Sequence, residues 1–341
     1  MRIDARLASA IATIVLSGAG CASASTSPAG ASPAGTSPAG TSPAGTSPAG
    51  ASAIAGVSDG APDSSAHESS VIVLGDGVES GIGLWRFQAP DKWTAVSATQ
   101  GATAVGRTAD GVVVVTGQRA ELRSSADLGR GAATITLKWP ATAPDWPVVA
   151  LDPAPGGKLA LAVSDGNAFA YSVASVDGNV TMLRPAPTQS FTPLIAWLDD
   201  SRLLVLSTDK DQVSRLAVVD ITAGTMTPIK TIGGIDSFAV SGDRMTLVVA
   251  TEGDIFVAPV SDWVGGAQPT KLASAAGNGV IWGLAVDKNG TQLAMLAGTV
   301  SADGAVTLLH EVGYTKRGSA WSPSFNSPAP FTTARGQAWS S

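Results

Sequence analysis

The sequence predicts an all-β fold: a single β-propeller, six-bladed and closed by pairing of its two chain ends, after a signal peptide and a disordered stalk. Three observations favour it. The region 67–341 is apolar with few charges, one turn-and-strand unit recurs along it, and its two ends complement each other. Runs of four to eight Val, Leu, Ala and Ile residues alternate there with Gly, Asp or Asn turns, which is typical of short strands.

The first element is a signal peptide over residues 1–20. Arg2 and Arg6 form a short basic region, and the uncharged run Leu7–Gly20 follows. A membrane-spanning helix needs about 20 apolar residues. The run is therefore too short to span a membrane and fits the apolar region of a secretory signal.

Cys21, the only cysteine of the chain, directly follows this run. The residues Gly18-Ala19-Gly20-Cys21 resemble the box of bacterial lipoprotein signals, although that family prefers Leu, Val or Ile where Gly18 stands. The resemblance implies lipidation of Cys21 and an extracytoplasmic protein whose contact with the bacterial cell membrane is the lipid anchor. Ordinary cleavage near Ala22 would instead leave a secreted protein. A lone cysteine also excludes an internal disulfide framework.

Residues 21–66 form the predicted stalk. Ser-Pro-Ala-Gly occurs five times from Ser27 onward, and no charge appears between Ala22 and Ser58. Such a segment cannot bury enough apolar surface to offset its ordering entropy, so it stays disordered. A flexible chain of this length has a mean reach of roughly 35–40 Å, which suits a tether.

The repeat is a short Asp/Gly turn followed by a strongly apolar strand. Anchored on Val113, Leu159, Leu203, Met245 and Leu293, the spacings are 46, 44, 42 and 48 residues. Propeller blades of four strands occupy about 40–50 residues, so each repeat predicts one blade.

The chain ends supply the remaining blade. Val71–Leu74 matches the apolar second strand of a blade that has no first strand before it, and Ala334–Ser340 is the candidate for that first strand. Pairing the two ends removes open sheet edges. The count is six blades; seven is the alternative, if Trp321–Phe331 holds part of another.

Two stretches carry a family resemblance. Val286–Ala294 contains Asp-x-x-Gly followed by Leu-Ala, a motif similar to that of bacterial WD40-like propellers of the TolB type. Ala196–Leu206 resembles the propeller of the actinobacterial lipoprotein LpqB. The resemblance implies an exported propeller with a binding or scaffold role, and it implies no particular ligand.

Composition excludes several functions. His67 and His310 are the only histidines, which argues against a histidine-based triad or a multi-histidine metal site. The sequence pI is about 4.9 and no basic stripe is visible, so we expect no nucleic-acid partner.

The candidate binding site is the channel mouth. In a propeller, the loops from second to third strands and the loops between blades share one face, and here they carry acids and aromatic rings. The candidate ligand-binding residues are Asp145, Trp146, Asp165, Phe191, Asp209, Asp211, Asp236, Glu252, Asp254, Trp282 and Asp303. Such a ring suits a cation, a basic peptide or a stacked sugar. The simpler explanation is that turns favour Asp for backbone reasons.

Three functional hypotheses remain open. The first is a non-enzymatic, monomeric module without catalytic residues or cofactor, which binds an envelope protein or a cell-wall ligand. The second is a divalent-metal-dependent, lactonase-like hydrolase using calcium, for which Asp165, Asp209, Asp236 and Asp254 would have to converge within about 5 Å. The third is a spacer without a ligand.

Overall fold

The computed structural model describes residues 70–340 apart from 79–80, 100, 110, 166–167, 184–193, 209–212, 230–231, 252, 275–278 and 301–305. The signal peptide, Cys21 and the stalk lie outside these residues and stay predictions. Among the helices of the described residues, none has the length and apolar character that crossing a membrane requires.

Short strands dominate the chain, in agreement with the predicted fold class. Blade 1 begins with β1 (Ser70–Val78), β2 (Gly81–Gln88) and β3 (Lys92–Ala98). Blade 2 comprises β4 (Ala102–Arg107), β5 (Gly111–Thr116), β6 (Arg119–Ser124) and β7 (Ala133–Thr136). Blade 3 comprises β8 (Val148–Pro153), β9 (Leu159–Ser164), β10 (Phe169–Ala174) and β11 (Val180–Met182).

The second half repeats this order. Blade 4 comprises β12 (Ile195–Trp197), β13 (Arg202–Thr208), β14 (Ser214–Asp220) and β15 (Thr225–Pro228). Blade 5 comprises β16 (Ile235–Val240), β17 (Thr246–Thr251), β18 (Asp254–Pro259), the short helix α1 (Val260–Val264) and β19 (Thr270–Ser274). Blade 6 comprises β20 (Gly279–Val286), β21 (Gln292–Val300), β22 (Val306–Arg317) and β23 (Ala320–Pro328), and β24 (Ala334–Ser340) follows.

Each blade is a four-stranded antiparallel sheet, and the blades close into a ring. The sheet of blade 1 has the order β24-β1-β2-β3, so the C-terminal strand supplies its first strand, as predicted. First strands of neighbouring blades contact one another all the way round, from β24 through β4, β8, β12, β16 and β20 back to β24. The seven-blade alternative is wrong, because Trp321 lies in β23, the fourth strand of blade 6.

The second strands form the core because each is packed between two blades. Leu159 and Leu161 join a cluster with blade 2, whereas Ala160 and Ala162 join a cluster with blade 4. This follows from the two-residue period of a strand, which sends successive side chains to opposite faces. Both faces are buried, so the second strands are continuous apolar runs.

Aspartates hold the turns between the first and second strands of a blade. Oδ1 of Asp287 accepts the backbone N–H groups of Thr291 (2.7 Å) and Gln292 (2.9 Å), and Oδ2 accepts the Thr291 hydroxyl at 2.8 Å. Gly290 completes this turn with φ of 67°. The anchor predicted at Met245 is wrong: Met245 is 65% exposed and its N–H donates to the turn residue Asp243, so β17 begins one residue later.

The ring closure carries a polar clamp outside the sheet. Oδ1 of Asp76 accepts the backbone N–H groups of Thr332 (2.8 Å) and Thr333 (3.1 Å), and Oδ2 accepts the Thr332 hydroxyl at 2.8 Å. Partial burial alone would raise the pKa of Asp76, but the hydrogen bonds from Thr333 and Thr332 outweigh it and lower the pKa. The clamp fixes the segment that leads into β24.

Candidate functional site

The propeller channel has two chemically different ends. We call the end that carries the turns from first to second and from third to fourth strands the turn face. The other end, which carries the loops from second to third strands and between blades, is the loop face. The predicted binding residues that the structure describes belong to the loop face: Asp145, Trp146, Asp165, Asp236, Asp254 and Trp282.

Cross-blade ion pairing fills the turn face. Oδ2 of Asp152, at the end of β8, accepts Nη1 of Arg244 from blade 5 at 2.6 Å and the backbone N–H of Trp197 from blade 4 at 2.7 Å. Arg244 also donates to the carbonyl of Pro153 at 3.0 Å. These bonds tie three consecutive blades together near the axis.

A second arginine reaches across the channel. The guanidinium of Arg107, from blade 2, lies against Gly242 of blade 5, where a Cβ would overlap it. Burial is the main cause that lowers the pKa of Arg107; the neighbouring Asp152 acts in the opposite direction. Because blades 2 and 5 stand opposite each other in a six-membered ring, this side chain spans the turn end of the channel.

The turn-face acids therefore have a structural role that sequence reasoning missed. Asp152, Asp243 and Asp287 had the appearance of ordinary turn residues, and Arg107 and Arg244 carried no motif. Asp152 and Arg244 are 92 residues apart, so no local spacing signals their pairing.

The loop face is shaped by a recurring β-bulge. In five first strands of the described ranges, one extra residue interrupts the pairing with the second strand. The extra residues are Thr103 in β4, Val149 in β8, Asp236 in β16, Trp282 in β20 and Arg335 in β24. In blade 4 the corresponding stretch borders residues 184–193, outside the described ranges.

All five bulges stand at one level of the channel. The second-strand residues opposite them are equivalent positions: Leu74/Gly75, Val115/Thr116, Ala162/Val163, Ala250/Thr251 and Leu296/Ala297. Bulges bend a strand and re-aim a side chain, and they are over-represented near functional sites. The five bulge residues therefore form a ring around the channel in which each blade contributes a different side chain. We call it the bulge ring.

The polar members of the bulge ring come from consecutive blades. Blades 5, 6, 1 and 2 contribute Asp236, Trp282, Arg335 and Thr103 in that order. Asp236 is exposed between buried neighbours. Among the residues described, the indole N–H of Trp282 and the hydroxyl of Thr103 are buried without a hydrogen-bond partner.

Arg335 is the charged residue that sequence reasoning missed at this mouth. Its Nη1 donates to the carbonyl of Ala102 in blade 2 at 3.5 Å, the outer limit of a hydrogen bond. Burial lowers the pKa of Arg335. The only signal in the sequence was its place in the predicted closing strand, which does not reveal a bulge.

The other described candidates have local partners or pack against the blades. Trp146 packs on the core between blades 2 and 3, and Asp145 beside it is exposed. Oδ1 of Asp165 accepts the N–H of Ala168 within its own turn at 2.8 Å.

Asp254 likewise serves its own blade. It pairs with Lys271 at 2.7 Å and accepts the Ser274 hydroxyl at 2.8 Å. The hydrogen bond from Lys271 is the main cause that lowers the pKa of Asp254. The remaining candidates, Phe191, Asp209, Asp211, Glu252 and Asp303, lie outside the described residues.

The described residues do not provide a cluster of ligands for the calcium hypothesis. Within them, no group of three or more His, Cys, Asp or Glu side chains is arranged to hold a metal ion. Asp165 and Asp254 hydrogen-bond within their own blades, whereas Asp209 lies outside these ranges. A calcium site that includes Asp209 stays a prediction.

Comparison with known proteins identifies the fold. No protein-family model and no curated protein matches the sequence. A TolB-type protein from Agrobacterium tumefaciens matches in structure with a TM-score of 0.52 and 13% identity, over 79% of this chain and 92% of the other. TolB from Acinetobacter baumannii gives 0.55 and 12% identity, over 80% of this chain and 66% of the other.

A 6-phosphogluconolactonase-type protein from Bacteroides uniformis is more distant. Its TM-score is 0.46 at 12% identity, over 78% of this chain and 84% of the other. At such identities the two TolB structures show the fold alone, because one fold hosts many functions. The chain is a six-bladed propeller whose structural neighbours are TolB-type propellers.

Proposed function

We propose that this protein is a non-enzymatic binding module, exported and lipid-anchored through Cys21, which recognises an envelope protein or cell-wall ligand at the loop face. The observation that carries the proposal is the contrast between the channel ends. On the turn face, Asp152, Arg244 and Arg107 satisfy or neutralise one another. On the loop face, the indole N–H of Trp282 and the hydroxyl of Thr103 in the bulge ring have no hydrogen-bond partner among the described residues.

The chemistry of the bulge ring suits recognition. Its polar members are one carboxylate, one indole, one guanidinium and one hydroxyl, spread over four blades. Acid–base catalysis requires groups of matched pKa within hydrogen-bond reach of one reacting atom. Binding requires instead a few polar groups of fixed direction around a concave mouth, which a ring of bulges on rigid strands supplies.

Chain direction supports the use of the loop face. The second strand β1 runs from Ser70 at the turn face to Val78 at the loop face. The predicted stalk precedes Ser70, so the tether joins the turn face. The charged residues Asp152, Arg244 and Arg107 of the turn face form what we call the charged plug. A ligand at the opposite end of the channel contacts neither the tether nor this plug.

Site-specific photocrosslinking tests the proposal in cells that produce the full-length protein. A benzophenone amino acid replaces Asp145, exposed on the loop face of blade 3, or Val176, 61% exposed on the turn face of the same blade. We expect a discrete adduct with an envelope component from position 145 and none from position 176. Adducts from position 176 alone, or from neither position, would overturn the assignment.

A further inference from the structure

We infer that the bulge ring binds a carboxylate group, with the guanidinium of Arg335 as its counter-ion and the indole of Trp282 and hydroxyl of Thr103 as additional donors. This inference rests on the proposed binding function and names the ligand chemistry of the same mouth.

The three side chains belong to one arc of the ring. They are the bulge residues of blades 6, 1 and 2, whose first strands β20, β24 and β4 contact in that order. Nη1 of Arg335 reaches the carbonyl of Ala102, the residue directly before Thr103. On the other side, a Cβ on Gly283, directly after Trp282, would lie 3.3 Å from Cγ of Gln337 in β24. Arg335 therefore stands between the other two.

All three groups are hydrogen-bond donors that lack an acceptor of matching strength. The Trp282 indole can only donate, and the Thr103 hydroxyl donates as readily as it accepts. Both are buried without a partner within the described part of the chain, whereas in proteins generally most buried polar groups are paired. The indole and the hydroxyl have no acceptor among the described residues and the guanidinium has one long hydrogen bond, so an anion beside Arg335 would complement this arc of the ring.

Arg335 is suited to be the counter-ion of a carboxylate. Within the described residues its guanidinium forms no ion pair, and its single hydrogen bond is long. Desolvation without an opposing carboxylate is the cause of its lowered pKa. A planar guanidinium matches a carboxylate through two parallel hydrogen bonds, and that pair is strong when shielded from water.

The surroundings disfavour ligands with several negative charges. Asp236 belongs to the neighbouring blade beyond Trp282, and the chain carries a net charge of −6. Like charges in a shared mouth repel. The site therefore suits a single carboxylate on an otherwise uncharged group, such as a peptide C-terminus or a sugar acid.

The indole N–H resonance of Trp282 provides the test. The full-length protein, labelled with ¹⁵N, is titrated with N-acetylalanine and separately with N-acetylalaninamide, in which an uncharged amide replaces the carboxylate. Trp282→Phe identifies the resonance. We expect it to shift with the acid and not with the amide. Glucuronate and glucose form the second pair of ligands. If the resonance shifts with glucuronate alone, a sugar acid is the source of the carboxylate.

Variants connect the response to the guanidinium. Arg335→Gln should lower the affinity for the acid at least tenfold, and Arg335→Lys should retain part of that affinity. Arg119 is an exposed arginine of the loop face, and Arg119→Gln should leave the affinity unchanged. Melting curves establish that each variant is folded. If Arg335→Gln does not fold, the loss of affinity is measured with Arg335→Lys instead. Equal shifts with acid and amide, no shift with any acid, or full affinity in Arg335→Gln would overturn the inference. Crosslinked adducts at position 145 would then still support the binding function. If those adducts are absent too, both the binding function and the carboxylate inference are refuted.

Discussion

Replacing Glu311 with glutamine is expected to stabilise the protein and to remove most of the pH dependence of its stability between about pH 5 and 8. Glu311 lies in β22, is fully buried, and neither carboxylate oxygen has a hydrogen-bond partner within the described residues. It pairs in register with Leu296 and Ser327 and faces the seam between blades 6 and 1. The blade 1 residues of that seam carry no charge: Val71, Val73, Phe87, Trp85, Trp93 and Trp339.

The magnitude follows from the ionisation of Glu311. Burial raises its pKa from an ordinary 4.5 to about 8. The unfolded chain therefore releases the proton at a lower pH than the folded protein does, so stability falls as pH rises above 4.5 and levels off above about 8. At about 1.36 kcal/mol for each pH unit, the raised pKa of Glu311 lowers the free energy of unfolding by roughly 3 kcal/mol at pH 7. The neutral amide of glutamine avoids this penalty.

Urea unfolding at several pH values measures the effect. The wild type should lose stability steadily from pH 5 to 8, whereas Glu311→Gln should change little with pH over this range. Glu121→Gln is the matched control, since Glu121 also lies in a third strand but is partly exposed and pairs with Arg123 at 3.0 Å. It should cost at most about 1 kcal/mol and leave the pH slope unchanged. Parallel pH profiles for wild type and Glu311→Gln would refute the reasoning.

Three further changes test the closure, the plug and the metal hypothesis. Asp76→Ala removes three hydrogen bonds to the segment before β24, and we expect a loss of about 1–3 kcal/mol in urea unfolding at pH 7. Because the pKa of Asp76 is lowered, its contribution should be complete above the ordinary value of 3.8 and vanish as pH falls below it, so a constant difference at acid pH would contradict the clamp. Arg244→Met leaves the partly buried Asp152 with Arg107 as its neighbouring cation and should cost less than the roughly 3–5 kcal/mol of a fully buried pair, a loss that Asp152→Leu in the same chain should partly restore if the pair is coupled. Calcium should leave the melting temperature unchanged, since the described Asp165 and Asp254 bond within their own blades; a calcium-dependent rise would favour the metal-dependent hydrolase instead.

The period of the fold was accessible from the sequence because blade signals are local. A turn with an aspartate acceptor and a following apolar strand occupy about ten residues, and both are visible without knowing their neighbours. Asp287 with Gly290 is the clearest example, since the predicted turn has the hydrogen bonds and the positive φ that the motif requires. Closure by Ala334–Ser340 was also predictable, because an incomplete first repeat has to find its missing strand.

The candidate site was only partly predictable. Asp236 was selected as part of a loop between blades and Trp282 for its position near a strand start; the structure instead places Asp236 inside β16 and makes both of them bulge residues of adjacent blades. Arg335 was missed because a bulge is a property of pairing between two strands, and β24 pairs with a strand more than 250 residues before it. Nothing in the residues around Arg335 sets the register of that pair.

Sequence alone thus determined the period of the blades and the approximate position of each apolar strand, since backbone turns and the two-residue strand period act over a few residues. Tertiary structure alone decided which charged groups meet. Asp152 and Asp254 are both aspartates beside β turns or strand starts, yet one is tied into a cross-channel plug with Arg244 and the other to a neighbouring strand. Ring closure brings distant blades to one axis, and electrostatic partnership depends on that distance in space rather than on separation along the chain.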